Sequence, residues 1–344
     1  MLKVILLSPL PPPFGGIARW TEDYLKWSDG KFECKVVDNS KRVNSKNKIT
    51  MLFSQLRRNI SIILNFKSGI KKSKYDVAHI NSSCSGAGVI RDFLCANSAY
   101  KKNIPVLLHC HCNIKDQLGT NKIVNYFFKK LVAVSSYVLV LNSSSLDFVR
   151  KFKNERVFIC PNFIDESKMA SSHKINDGIK SVLYVGHLYL SKGIKIIAET
   201  AKKFPEITFE LVGAETGESD FLKEYSNIRL NGAKSESEVM EFIDKCDLFL
   251  FPSFSEGFSK ALLEAMSRGI PAIVSDAGAN RDMIEDKGGI VVPAGVPKDY
   301  ADAINKMMDK NVRAVMSEWN IKKVKKCYTA NIVMEEIFDK YKEM

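Results

Sequence analysis

Short apolar runs that stop at a turn and give way to helical periodicity recur along nearly all of this 344-residue chain. Residues 3–8, 35–38, 76–80, 106–111, 138–142 and 156–160 have the length and content of buried strands, with helical stretches at 18–27 and 144–153. A polar stretch without periodicity, 171–178, interrupts the series. A second series follows, with strands at 181–185, 208–212, 228–230, 248–251 and 272–275 and helices at 194–204, 236–246, 259–266 and 297–309. Strands separated by helices pair in parallel through crossovers, and a parallel sheet must be covered on both faces. The chain is also too long for one core of ordinary size. These features predict an α/β protein of two Rossmann-like, doubly wound parallel-sheet domains, 1–172 and 173–320. A linker at 171–178 joins them, and a charged helix in 321–344 follows.

Within the second series the stretch FPSFSEGFSKALLEAMSRGIPAIVSD, 251–276, carries the most chemistry. Pro252 stops a strand, Ser255, Glu256 and Gly257 form a polar turn, and a helix begins after Ser259. Gly269 closes that helix and Pro271 opens the next strand. A loop that leaves a strand and feeds a helix N-terminus presents backbone N–H groups and about half a positive charge, which suits a phosphate. Glu256 and Glu264 would repel that phosphate. They are therefore expected to face sugar hydroxyls, which a carboxylate accepts from well, unless both are simply solvated charges.

The context SEGFSKALLEAMSRGIPAIVS resembles the paired-glutamate motif of the family 4 glycosyltransferases, retaining enzymes of the GT-B fold that use a nucleotide sugar. The resemblance covers nearly the whole chain, strongly from 182 to 293. It implies that the two domains face each other across a cleft, that Glu256 lies by the donor sugar and that Glu264 binds the nucleotide ribose. It places the loop with Gly15 and Gly16 toward the donor phosphates and the acceptor, assigns main-chain base contacts near Gly232, and favours His111 over His109 as the active-site histidine. The turn Pro161-Asn162-Phe163-Ile164-Asp165 is similar to the one that closes the family's first domain, with Phe163 where the family has glycine. The family's last helix crosses back onto the first domain, which is the expectation for 321–344.

A diphosphate carries about two negative charges against the helix's half positive one, so side-chain cations must balance it. Lys192, in a loop after a second-domain strand, is the best candidate. The family pairs this lysine with an arginine just after the loop's first glycine, and this chain has His187 there. No aspartate cluster suited to a divalent metal is evident, so the reading is metal-independent with no cofactor. The candidate catalytic residues are His111, Lys192 and Glu256. The donor-binding set is Gly15, Gly16, His187, Lys192, Gly232, Glu256, Gly257, Phe258, Ser259 and Glu264, with a UDP or GDP sugar as donor. Lys192, His187 and the N–H groups near Phe258 and Ser259 would stabilise the departing diphosphate.

Charge divides the chain. Residues 1–175 hold 28 Lys and Arg against 12 Asp and Glu, and the remainder 23 against 27, within a total of +12. Only the first half is basic, which suggests an anionic partner: a membrane surface, a phosphorylated acceptor or nucleic acid. Residues 41–75 concentrate Lys, Arg and Asn. Leu52, Phe53, Leu56, Ile60, Ile63 and Leu64 share one face of a helix there, with Ser54, Arg57, Arg58, Ser61 and Asn65 on the other. That face either docks on the sheet or lies on a membrane.

Other readings carry less. His109-Cys110-His111-Cys112 sits at a strand end, where alternation separates the histidines from the cysteines, so a zinc site is not expected. The eight cysteines fall mostly in apolar segments and read as free thiols. No apolar run approaches the ~20 residues of a spanning helix, and residues 1–10 lack a signal peptide's cleavage site, which predicts a cytoplasmic protein, peripheral at the inner face of the membrane. A nucleotide-sugar epimerase remains the alternative enzyme. A basic nucleic-acid-binding protein is the alternative of another class, although no recognisable nucleic-acid module is present, and the dinucleotide fingerprint of an oxidoreductase is absent. The acceptor would be a saccharide or a lipid-linked saccharide, in surface polysaccharide or glycolipid synthesis.

Overall fold

Val4, Ile5, Leu6 and Leu7 are all inaccessible to solvent, the condition for a strand covered on both faces of a parallel sheet. They lie in a computed structural model that describes residues 1–12, 15–40 and 48–344. Pro13 and Phe14 of the loop before Gly15, and 41–47 at the start of the basic stretch, lie outside the described residues. The chain forms two units: Met1–Pro161 with Met334–Met344, and Asn162–Val333.

The first unit runs β1 (Lys3–Ser8), α1 (Gly16–Ser28), β2 (Glu33–Asp38), α2 (Lys48–Lys72), β3 (Val77–Ser82), α3 (Gly86–Tyr100), β4 (Val106–Cys110), α4 (Ile114–Leu118), α5 (Lys122–Val134), β5 (Tyr137–Val140), α6 (Ser143–Arg150) and β6 (Val157–Ile159). Its six strands pair in parallel in the order β2-β1-β3-β4-β5-β6. The order reverses between β1 and β3, and a crevice is expected outside their carboxyl ends.

The second unit runs β7 (Ser181–Val185), α7 (Ile194–Ala201), β8 (Thr208–Val212), β9 (Ile228–Leu230), α8 (Glu236–Lys245), β10 (Leu248–Phe251), α9 (Lys260–Ser267), β11 (Ala272–Ser275), α10 (Asn280–Ile284), β12 (Gly289–Val292), α11 (Pro297–Lys306) and α12 (Lys310–Cys327). Its sheet is again wholly parallel, in the order β12-β11-β10-β7-β8-β9. Here the reversal falls between β7 and β10, which puts the two loops singled out from the sequence at one crevice.

Three features differ from the sequence reading. The boundary between units falls at Pro161 and Asn162 rather than within 171–178. The polar segment after it is bound to the second unit: Ile164 donates to Tyr328 O at 2.9 Å, Ala170 to Ser267 O at 3.0 Å, and Asn176 Nδ2 to Asp247 Oδ1 at 2.8 Å. Within 171–178, Asn176 donates to Asp247 and its carbonyl accepts from Arg313, so polarity there serves hydrogen bonds instead of marking a free linker.

The charged tail is two helices, α12 and α13 (Ala330–Lys342), and not one. The break at Tyr328 and Thr329 forms a bridge with Ile164, whose carbonyl accepts from Ala330 at 2.9 Å. From Met334 the chain belongs to the first unit. Tyr341 hydroxyl lies 2.7 Å from Tyr24 hydroxyl, Phe338 stacks on Phe32 at 5.5 Å, and Tyr137 donates to Glu343 at 2.6 Å.

Helix α2 has two apolar faces. Ile62, Phe66 and Ile70 are buried in the first unit's core, with Ile63 packed against it. The face read from the sequence, apart from Ile63, is the other one: Leu52, Phe53, Leu56, Ile60 and Leu64, extended by Ile49, are 48–67% exposed. The sheet is therefore docked by a set of residues that the periodicity argument passed over.

Candidate active site

In the second unit two loops at the β7/β10 switch point are held together by glycines. After β7, Gly186 puts its carbonyl where a side chain on Gly213 would stand 1.8 Å away, so the chain can cross there only without a Cβ. Gly213 donates to Gly232 O at 2.9 Å. A 3₁₀ turn, Leu190–Lys192, then ends at Gly193, in the left-handed region at φ +79°. A Cβ on Gly193 would meet Pro252 O at 2.2 Å. That close approach brings Lys192 to the loop after β10.

There Lys192 Nζ donates to Glu256 Oε1 at 2.6 Å and approaches Ser255 O at 3.4 Å. The side chains are 32% and 13% exposed, so neither is an ordinary solvated charge. On the far side of the loop, Gly278 at φ +57° lets Glu256 O approach within 2.0 Å of where a Cβ would be, and Ala279 donates to Gly257 O at 3.0 Å. Residues 255–258 are thus gripped from both sides. Phe258 is buried against Tyr328 at 5.3 Å, and its carbonyl accepts from Asn162 Nδ2 at 3.1 Å. Ser259 caps α9, its Oγ accepting from Leu262 N at 3.2 Å. Glu264, one of the residues at which polar exposure would be the ordinary outcome, is only 6% exposed.

Glu256, Lys192, Gly257, Phe258 and Ser259 therefore belong to one constructed locus, and Glu264 lies buried in the helix that starts from it. His187 stands in the β7 loop, exposed and stacked on Tyr189 at 5.9 Å, with its carbonyl accepting from Tyr184 hydroxyl at 3.0 Å. Gly232 needs its left-handed φ of +67°, and nothing fills the space beside it.

His111, Gly15 and Gly16 lie in the first unit. His111 follows β4, and its Nε2 lies 3.0 Å from Asn81 Oδ1. Burial, then the neighbouring His109 and His79, push its pKa well below the usual histidine value, so the ring is neutral at physiological pH. Gly15 precedes α1 at an extended φ of −158°, and no described atom crowds a Cβ at Gly15 or Gly16. Neither the backbone angle nor a described neighbour demands glycine there.

The sequence reading missed what surrounds His111. His109 lies 3.9 Å away, Trp20 stands edge-on at 5.1 Å, and His79, from β3, stacks on His109 at 5.7 Å. Cys110 and Cys112 turn to the opposite side, toward Cys84, as alternation requires. All eight cysteines are free. The signal for Asn81 was the polar run Asn81-Ser82-Ser83 at the end of an apolar strand, and it went unused.

Residues 26–168 match the family model described as Glycosyltransferase Family 4, and residues 165–324 match Glycosyl transferases group 1. In fold, the structure of Anabaena HepE in complex with UDP and glucose is similar at a TM-score of 0.77, over 100% of both chains at 16% identity. The chain is a glycosyltransferase of the GT-B type. Two curated relatives align along most of this glycosyltransferase. An uncharacterized glycosyltransferase of Methanocaldococcus jannaschii is 27% identical and covers 92% of both chains. The UDP-Gal:alpha-D-GlcNAc-diphosphoundecaprenol alpha-1,3-galactosyltransferase of Escherichia coli is 25% identical over 76% of each. No helix among the described residues is long and apolar enough to cross a membrane.

Proposed function

We propose that this glycosyltransferase is a retaining, metal-independent enzyme that moves a hexose-type sugar from a UDP or GDP sugar to a saccharide or lipid-linked saccharide acceptor. The observation that carries the reading is the Lys192–Glu256 pair at the switch point of the second sheet. A diphosphate beside Lys192 and a sugar beside Glu256 would then be adjacent, as the two halves of a nucleotide sugar are. Lys192, His187 and the first turn of α9 after Phe258 and Ser259 stabilise the diphosphate as the bond from its oxygen to the anomeric carbon breaks and the electron pair leaves with the phosphate. Glu264 accepts from the ribose hydroxyls, Gly232 approaches the base, and Gly257 leaves room for the donor. His111, neutral and with its Nε2–H directed at Asn81 Oδ1, leaves Nδ1 to accept a hydrogen bond near the donor sugar, and Gly15 and Gly16 let backbone approach the ligand.

We further place the enzyme at an anionic membrane surface on the inner face of the cytoplasmic membrane. The exposed stripe Ile49, Leu52, Phe53, Leu56, Ile60 and Leu64 supports this, with Arg57, Lys67, Lys71, Lys72 and Lys74 exposed around and after it. Basic charge beside an exposed apolar stripe suits an interface of anionic headgroups over acyl chains. An acceptor in that membrane, such as the diphosphoundecaprenol-linked sugar named for the E. coli relative, fits the same location.

A panel of UDP and GDP sugars screened by thermal shift tests the donor, since a ligand at 100 times its dissociation constant stabilises a fold by roughly 2.7 kcal/mol. The anomeric configuration of the product by NMR, with and without a chelator, tests retention and metal independence. Product formed from the donor without any acceptor identifies an epimerase instead.

A further inference from the structure

The first unit contains a cavity of about 610 Å³ at the carboxyl ends of β1, β2 and β3, the crevice where its strand order reverses. Arg58, Asn59, Asn81, Ser83, Ser85 and Arg91 line it, and no carboxylate is among its described lining residues. Both guanidiniums are held in place. Arg58 donates through Nε to Ser40 O at 2.7 Å and lies 3.5 Å from Asp38. Arg91 donates to Asp92 Oδ1 at 2.9 and 2.7 Å, and Asp92, fully buried, is itself held by Ser82 Oγ at 2.7 Å.

Helix α3 begins at the same wall. Ser85 makes no side-chain cap, and its Oγ lies 3.0 Å from Ser83 Oγ instead. No described neighbour crowds Gly86, and Gly86, Ala87 and Gly88 of the first turn line the cavity. Two immobilised cations, a helix N-terminus and neutral polar groups, with the paired carboxylates Asp38 and Asp92 outside the described lining, form a site for an oxyanion. Arginine forks held in position match phosphate oxygens at little further loss of freedom.

We propose that this cavity is the acceptor's phosphoryl subsite: it takes the phosphate or diphosphate ester that joins the acceptor saccharide to its lipid. The inference rests on the reading above, in which the donor's diphosphate belongs to the second unit and so leaves this site for another. Ile17 and Ile62, also in the wall, give the first carbons of an apolar chain a surface. Residues of α2 line the cavity on one side of the helix, while its exposed apolar stripe lies on another.

Isothermal titration of the full chain with inorganic pyrophosphate, geranyl diphosphate and geraniol tests the site, each repeated in Lys192→Ala to remove the donor-side cation. Both diphosphates should bind Lys192→Ala and geraniol should not. Arg58→Gln and Arg91→Gln should each weaken geranyl diphosphate by about tenfold or more. Each also removes a member of an ion pair, so Asn59→Asp is the sharper variant: it is isosteric, belongs to neither pair, and should abolish diphosphate binding at an unchanged melting temperature. Diphosphate binding that disappears with Lys192→Ala and survives Asn59→Asp overturns the proposal. Pyrophosphate binding without geranyl diphosphate binding also overturns it, since the site would then hold a free phosphate. If no nucleotide sugar binds while geranyl diphosphate still depends on Asn59, the donor assignment has failed and the subsite stands.

Discussion

Lys192 and Glu256, 64 residues apart, form an ion pair of 2.6 Å between the loops after β7 and β10. The lysine proposed to receive the donor's diphosphate is thus already neutralised by the glutamate proposed to meet the donor's sugar. Binding must divide the lysine's hydrogen bonds between two anions, and removing one strengthens its hold on the other.

Glu256→Gln should therefore tighten binding of the free nucleoside diphosphate while lowering turnover, because the lysine is released and the sugar contact weakened. Calorimetry with UDP and GDP, beside kcat from product formation, checks both directions. Weaker nucleotide binding in this variant would mean that Glu256 orients Lys192 rather than competing for it.

Lys192→Ala and Glu264→Ala should both cripple transfer through different losses. The lysine charge gains in value as the diphosphate departs, so kcat should fall. The ribose contact of Glu264 is present throughout, so mainly KM should rise. Near-normal kinetics in either variant removes that residue from the site.

His187→Arg should retain or improve donor affinity, because arginine is always charged and its planar fork matches phosphate oxygens. His187 is exposed, so the larger side chain can be accommodated. Complete loss of binding would show that the stacking on Tyr189 is structural.

The histidines of the first unit set an acid limit. His79 and His111 lie well below the usual histidine value and His109 is pushed down to about 3, in each case chiefly by burial. The unfolded chain takes up protons below about 6.5 while the folded chain does not, so stability is full above that pH and falls as pH drops toward 3. His109 contributes a slope of about 1.4 kcal/mol per pH unit in that window, and His79 and His111 act in the same direction. Urea unfolding at pH 7, 6 and 5 should show a steep decline, and His109→Gln should lessen it. A flat profile means the rings are protonated in the fold.

Much of this was legible in the sequence, and what was not has physical causes. The strand-loop-helix at 251–276 could be read because Pro252, Gly269 and Pro271 fix its punctuation, and β11 is Ala272–Ser275 as predicted. Chain order alone could not show that Gly193 packs on Pro252 or Gly278 on Glu256, since both approaches join residues far apart in sequence. The unit boundary was misplaced because a polar segment looks the same whether it is solvated or hydrogen-bonded to Asp247. Periodicity found an apolar face on α2 but could not say which of two faces the sheet takes.

That second face yields the last prediction. Leu52 and Phe53 are 67% and 64% exposed, so replacing them should change stability by no more than about 0.5 kcal/mol. On a bilayer the same side chains are buried, and each nearby basic residue adds about 1 kcal/mol of attraction to anionic lipid. The full chain should therefore sediment with anionic liposomes, less with neutral ones, and less in high salt as the charges are screened. Leu52→Ser with Phe53→Ser should release it at an unchanged melting temperature, and Lys71→Gln with Lys72→Gln should weaken binding to anionic liposomes and flatten its dependence on salt. Binding that ignores lipid charge removes the anionic surface from the proposal, and no binding, or binding that survives loss of both apolar side chains, assigns the stripe to something other than a membrane and favours a soluble acceptor.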